Sequence, residues 1–281
     1  MKRIVVIAAF TAAALLIGSG QRDRALGRAQ SISAPAGVQT WWNARMEDWD
    51  AARAAGVNGA YMYFGALPDD LAAKRLRDYF AKKNGRAFDE VVVMDLCVIF
   101  HGVLRTTAGG GPWRIGGATV LDRDFPQAAA RYVERCQRIA ASAGVDKRIW
   151  WQVADEVKRD PASAPTLRAA DVLLAMVKAI KQRVPQARIL CVCWPTPGIV
   201  PYLDAVAYPL NGKPYPGETT RTGSVPVKVG YWSGGYDSYL AGGAAGYMSE
   251  LRARLRAAGL RRVLFYKWDG AAARAWQQAT E

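Results

Sequence analysis

The chain has 281 residues, 51% of them apolar, a mean hydropathy of -0.06 and a formal net charge of +14. This composition suits one large α/β domain or two small ones, and it excludes a disordered chain and an integral membrane protein as a whole. The basic excess fits either arginine-rich solvated helix faces, as at Arg252, Arg254 and Arg256, or an exported protein that meets anionic glycans and lipid head groups.

Lys2 and Arg3 precede an apolar run from Ile4 to Gly18. The pattern predicts a targeting segment, too short for a comfortable membrane span. Cleavage is expected near Gly18-Ser19-Gly20 or near Ser31-Ile32-Ser33-Ala34, with an uncleaved N-terminal anchor as the alternative. Residues 1–34 are therefore read as leader and linker, and 35–281 as the folded domain. The expected location is periplasmic or secreted, with membrane contact only through an uncleaved leader.

From there strand-like and helix-like runs alternate. Strands are predicted near Val38–Trp42, Val57–Phe64, Glu90–Ile99, Arg148–Asp155, Arg188–Trp194, Ala205–Pro209, Val227–Trp232 and Val263–Trp268. Helices are predicted at Arg45–Ala55, Asp69–Lys83, Phe125–Ala143, Thr166–Val184, Ala244–Ala258 and Ala271–Thr280. Leu173, Leu174, Met176, Val177 and Ile180 show the helical spacing. Near-continuous apolar strands alternating with helices predict a single (β/α)8 TIM barrel; a doubly wound open sheet is the alternative fold. No GxGxxG follows the first strand, so a dinucleotide site is not expected. Gly-rich stretches at Thr107–Gly117 and Asn211–Ser224 fall where a barrel keeps its substrate loops.

Polar and aromatic residues gather at the predicted strand ends. Trp41, Tyr63, Asp95, Trp194, Tyr208, Tyr231, Trp232, Trp268 and Asp269 are candidate substrate-binding residues. Indole and phenol rings offer an apolar, electron-rich face to the C–H side of a sugar, though such rings also simply fill barrels. The fourth strand, Ile149-Trp150-Trp151-Gln152-Val153-Ala154, ends in Asp155-Glu156. The next helix starts about ten residues later, so capping is a poor account of the pair. Strict strand alternation puts Gln152, Ala154 and Glu156 on one face and Val153 and Asp155 on the other, which makes Glu156 the expected group in the basin.

Cys97, Cys136, Cys191 and Cys193 all lie in apolar runs and read as buried thiols, although an exported chain permits disulfides. With one histidine, His101, and no GxSxG, neither a histidine-rich metal site nor a nucleophile elbow is expected. No cofactor is implied.

Three short segments, Ala154-Asp155-Glu156-Val157, Val206-Ala207-Tyr208 and Tyr266-Lys267-Trp268-Asp269-Gly270, resemble the (β/α)8-barrel glycoside hydrolases over residues 38–270. The Asp-Glu pair is similar to that of β-N-acetylhexosaminidase-type enzymes. That resemblance implies Glu156 as general acid and Asp155 as the group orienting the substrate's acetamido nucleophile. It further implies Tyr208 or Tyr231 on the acetamido oxygen and Trp268 as a wall. The chain departs from the two-carboxylate retaining pattern, because strand seven carries no acid. An inverting route would draw its second carboxylate from Asp95, Glu218, Asp237 or Asp269.

The sequence thus predicts an exported glycoside hydrolase, expected to be monomeric, acting on a polysaccharide or oligosaccharide, anionic ones included. A non-catalytic carbohydrate-binding barrel is the second reading, and an envelope interaction protein held by its leader the third. A leader argues against a nucleic-acid partner.

Overall fold

The computed structural model describes residues 38–97, 113–115, 118–120, 124–155, 164–192, 198–209, 225–232, 244–265 and 269–278. Its strands are β1 (Gln39–Trp42), β2 (Gly59–Met62), β3 (Glu90–Val93), β4 (Trp113–Ile115), β5 (Ala118–Val120), β6 (Ile149–Asp155), β7 (Arg188–Val192), β8 (Ala205–Pro209), β9 (Val227–Trp232) and β10 (Arg262–Phe265). Helices α1 (Trp49–Ala54), α2 (Asp69–Phe80), α3 (Phe125–Ser142), α4 (Ala164–Arg183), α5 (Ala244–Ala257) and α6 (Gly270–Gln278) lie between them in sequence or after the last.

Eight strands, in the order β1-β2-β3-β6-β7-β8-β9-β10, close into a barrel in which every pairing is parallel. The predicted TIM barrel is the observed fold, and the open sheet is not. β4 and β5 form a separate antiparallel hairpin in the third crossover, where the sequence suggested a Gly-rich loop. The third strand is also shorter than expected. Its ladder ends at Val93, followed by the bond from Met94 N–H to Met62 O, and residues 95–97 turn helical.

Strand alternation divides the apolar residues into two layers. Trp41, Tyr61, Val92, Trp150, Leu190, Ala205, Ala207, Val229 and Leu264 fill the barrel. Trp42, Met62, Val93, Trp151, Ile189, Val206 and Phe265 face the helices. Each Trp-Trp dipeptide therefore splits, one ring inside and one outside. Trp41 and Trp150 meet within the barrel at 5.6 Å between centroids. Outside, Trp42 stacks on Phe265 at 3.9 Å. Gly59 makes room for the inner pair, since a Cβ there would sit 2.8 Å from Trp41 Cδ1 and 2.6 Å from the Glu90 carbonyl oxygen. Burying each of these indoles removes roughly 150–250 Å² from water, on the order of 4–6 kcal/mol before entropy is counted.

Below that pair the first residues of four strands carry polar groups. Arg188 Nη2 donates to Glu90 Oε1 at 2.8 Å, and Arg262 Nη2 lies 3.5 Å from Glu90 Oε2. Arg262 Nε donates to Gln39 Oε1, and the Arg188 guanidinium covers the Trp150 ring at 3.6 Å. Burial pulls the Arg188 guanidinium below its ordinary range, and Glu90 opposes that pull. The N-terminal end of the barrel is thus closed by a charge-paired layer lying on aromatic faces.

Candidate active site

The C-terminal ends of the barrel strands are where a TIM barrel does its chemistry. On β6 the pairing with β7 shifts register between Gln152 and Ala154. Gln152 pairs with Leu190, Ala154 with Cys191 and Asp155 with Val192. Leu190 and Val192 belong to the barrel interior, whereas Cys191 and Ala154 belong to the helix-facing layer. Val153 is the extra residue of a β-bulge, a device that re-aims the residues beyond it. Positions 152 and 155 both fall on the interior side. Unbroken alternation would have put 155 outside and 156 inside, so that expectation fails at the bulge. Glu156 itself lies outside the described residues.

The same register sorts the aromatic candidates. Tyr231 pairs with Leu264 of the interior, while Trp232 pairs with Phe265 of the helix-facing layer. Tyr208, paired with Gly230, packs partly buried against the helix-facing core. Of the three, only position 231 falls on the barrel side; positions 208 and 232 do not, although proximity to strand ends had grouped them together. Trp41 is fully buried in the barrel packing. Tyr63, one residue beyond β2, is 41% exposed. Trp194, Trp268, His101, Glu218 and Asp237 lie outside the described residues.

Two of the candidate acids have structural employment. Asp95 Oδ2 accepts from Phe64 N–H at 2.9 Å, and Oδ1 accepts from Gly65 N–H and the Tyr132 hydroxyl, both at 2.7 Å. Asp269 Oδ1 accepts from Ala271 N–H at 2.7 Å and Ala272 N–H at 3.0 Å, which caps α6. Sequence reading missed Tyr132, which lies on α3, 37 positions from Asp95; no local signal marks it. It also missed the Glu90–Arg188–Arg262 layer, whose only signal was a charge opening each apolar run.

Inside the barrel, Trp41 Nε1, Trp150 Nε1 and Gln152 Oε1 are buried and have no hydrogen-bond partner among the described residues. Gln152 Nε2 reaches Cys97 Sγ at 3.5 Å. Two donors and one acceptor inside the barrel suit ordered water or a hydroxyl group. Cys97, Cys136 and Cys191 are all buried. Burial pushes the Cys136 thiol up to about 12, with the Asp95 charge adding to it, which favours the neutral thiol there. Among the described residues no group of three His, Cys, Asp or Glu could hold a metal ion.

No protein-family model matches the sequence, and no curated protein matches it. Solved structures do match its fold. The exo-β-1,4-mannosidase Op5Man5 from Opitutaceae bacterium strain TAV5 is 12% identical, with a TM-score of 0.50, covering 83% of this chain and 52% of that one. XEG5A, a xyloglucan-specific endo-β-1,4-glucanase of glycoside hydrolase family 5 from a metagenomic library, is 11% identical, with a TM-score of 0.48, covering 85% and 88%. The homocysteine methyltransferase MmuM from Escherichia coli is 12% identical, with a TM-score of 0.44, covering 89% and 99%. At such identities the likeness is one of fold, a (β/α)8 barrel that glycoside hydrolases share, and the chemistry has to be argued from the site.

Proposed function

We propose that this protein is an exported glycoside hydrolase that cleaves a polysaccharide or oligosaccharide by general acid catalysis from Asp155-Glu156. One observation carries the reading. The β6 bulge turns the acidic end of the fourth barrel strand so that position 155 is on the interior side, above Gln152 and the indole pair. That position stands at the C-terminal end of a barrel strand, the end at which a TIM barrel binds substrate. The adjacent Glu156 supplies the second carboxyl of the pair; the roles of Glu156 as acid and Asp155 as orienting group rest on the resemblance to β-N-acetylhexosaminidase-type enzymes, while the register speaks for position 155 alone. In the substrate-assisted version of the reaction, Tyr231 is the better-placed tyrosine for the acetamido oxygen, because its position shares the barrel side. The leader, Lys2 to Gly18, supports export.

A second reading, a carbohydrate-binding barrel without turnover, is favoured by one feature. β9 carries no acid, and Asp95 and Asp269 are already bound to backbone N–H groups. A two-carboxylate mechanism therefore has few partners left for the pair.

The deciding experiment incubates the purified wild type, Glu156→Gln and Asp155→Asn with chitin oligomers, peptidoglycan, β-1,4-glucan and uronic polymers. Products are read by mass spectrometry and binding by calorimetry. Wild-type cleavage that falls by about 10²–10⁴-fold in Glu156→Gln supports the hydrolase. Binding without cleavage supports the second reading, and cleavage undiminished in both variants overturns the assignment of the pair.

A further inference from the structure

Tyr63 is 41% exposed, unusual for an aromatic ring at a barrel strand end, and the chain holds it from several sides. Its backbone carbonyl accepts from Arg75 Nη1 at 2.7 Å, and its hydroxyl lies 3.5 Å from Met94 Sδ. The next residue, Phe64, is 1% exposed and stacks over Trp151 at 6.2 Å. Gly65 follows at φ +60°, a left-handed conformation that glycine adopts without strain. That turn aims two successive N–H groups, those of Phe64 and Gly65, at the Asp95 carboxylate. Successive amides around a positive-φ residue form an anion-holding concavity, here filled by a side chain of the protein itself. Tyr132 completes the clamp: its hydroxyl donates to Asp95 Oδ1 at 2.7 Å and lies 3.2 Å from Gly65 O.

Asp95 is 6% exposed and takes three donors. A buried carboxylate so engaged has little capacity left for a ligand; two of its three hydrogen bonds come from the turn that follows Tyr63, and the third from Tyr132 on α3. We propose that Asp95 is a positioning residue, fixing the Tyr63 ring as a flat sugar-stacking platform at the barrel mouth, with Tyr132 as its support. The inference deepens the carbohydrate reading above and rests on it. The ligand face is the C–H side of an uncharged pyranose, which an aromatic ring recognises without regard to net charge.

The test measures KM, kcat and melting temperature for wild type, Tyr63→Ala, Asp95→Asn, Tyr132→Phe and Tyr63→Ala/Asp95→Asn, with cellotriose and chitotriose as probes. Tyr63→Ala is expected to raise KM by roughly tenfold, the upper end for one aromatic face, with kcat kept. Asp95→Asn should raise KM by a similar factor, and the double variant should be no worse than Tyr63→Ala alone. Tyr132→Phe should move KM in the same direction by less, and serves as the reporter if Asp95→Asn does not fold. Wild-type cleavage with KM unmoved by Tyr63→Ala overturns the platform. Additive effects of Asp95→Asn in the Tyr63→Ala background overturn the positioning role. A wild type that neither binds nor cleaves any glycan in the wider panel overturns the carbohydrate reading itself, a different result from either.

Discussion

At the N-terminal end of the barrel, Glu90 is met by Arg188 and Arg262, and the guanidiniums lie on indole faces. At the C-terminal end, Asp95 and Asp269 are met by backbone N–H groups instead. One end neutralises charge with charge and seals the barrel. The other uses carboxylates to fix the local backbone, a turn after β2 and the start of α6. The contrast teaches that an acid at a strand end is not thereby a catalytic acid; its partners decide. Asp95 and Asp269 have partners that account for them, which leaves as the acids to test Glu218 and Asp237, outside the described residues, together with the Asp155-Glu156 pair.

The largest effect should come from that pair. Glu156→Gln is expected to lose about 10²–10⁴-fold in glycan turnover while its melting temperature stays within a few degrees of wild type. A large fall in stability with turnover intact would place the acid among the structural ones. The opposite pattern is expected below. Glu90→Ala leaves two partly buried guanidiniums unpaired and should cost about 2–3 kcal/mol in urea unfolding, somewhat less than a fully buried pair, with turnover of the folded protein preserved. Gly59→Ala pushes a methyl against Trp41 and the Glu90 carbonyl and should cost about 1–3 kcal/mol, read the same way.

Alkaline pH sharpens the comparison further. Burial, joined by the Asp95 charge, raises the Tyr132 phenol above its ordinary 10.0 and Cys136 from 9.0 to about 12. Both groups are neutral in the fold and ionise more readily in the unfolded chain. Their stabilisation is complete below pH 9 and is lost as pH rises from there toward 12. Melting temperature should therefore drop over that interval, and Cys136→Ala should flatten the drop. The smallest effect is expected at Gln152→Leu. It replaces a buried carbonyl that has no hydrogen-bond partner among the described residues, so stability should change by under about 1 kcal/mol or rise slightly. A loss of glycan affinity at unchanged stability would make Gln152 part of the binding floor.

Periodicity and apolar runs alone determined much of the architecture: eight strand segments, their alternation with helices, the barrel class, and the placing of Asp155 at the end of the fourth barrel strand. Those features are local, since a strand buried on both faces must read as a continuous apolar run. Which face each strand-end residue takes was decided by pairing. The bulge exists because β6 and β7 meet out of step near Gln152, and no pattern within β6 announces it. The division of Tyr231 from Tyr208 and Trp232 likewise needs the neighbouring strands to define an inside. Asp95 read as a substrate ligand from its position, and became a clamp only when the fold brought Phe64, Gly65 and Tyr132 around it from as far as 37 positions away. Hydrophobic order is written along the chain, but the partners of a polar group are set by tertiary contacts, and it is those partners that divide structural acids from reactive ones.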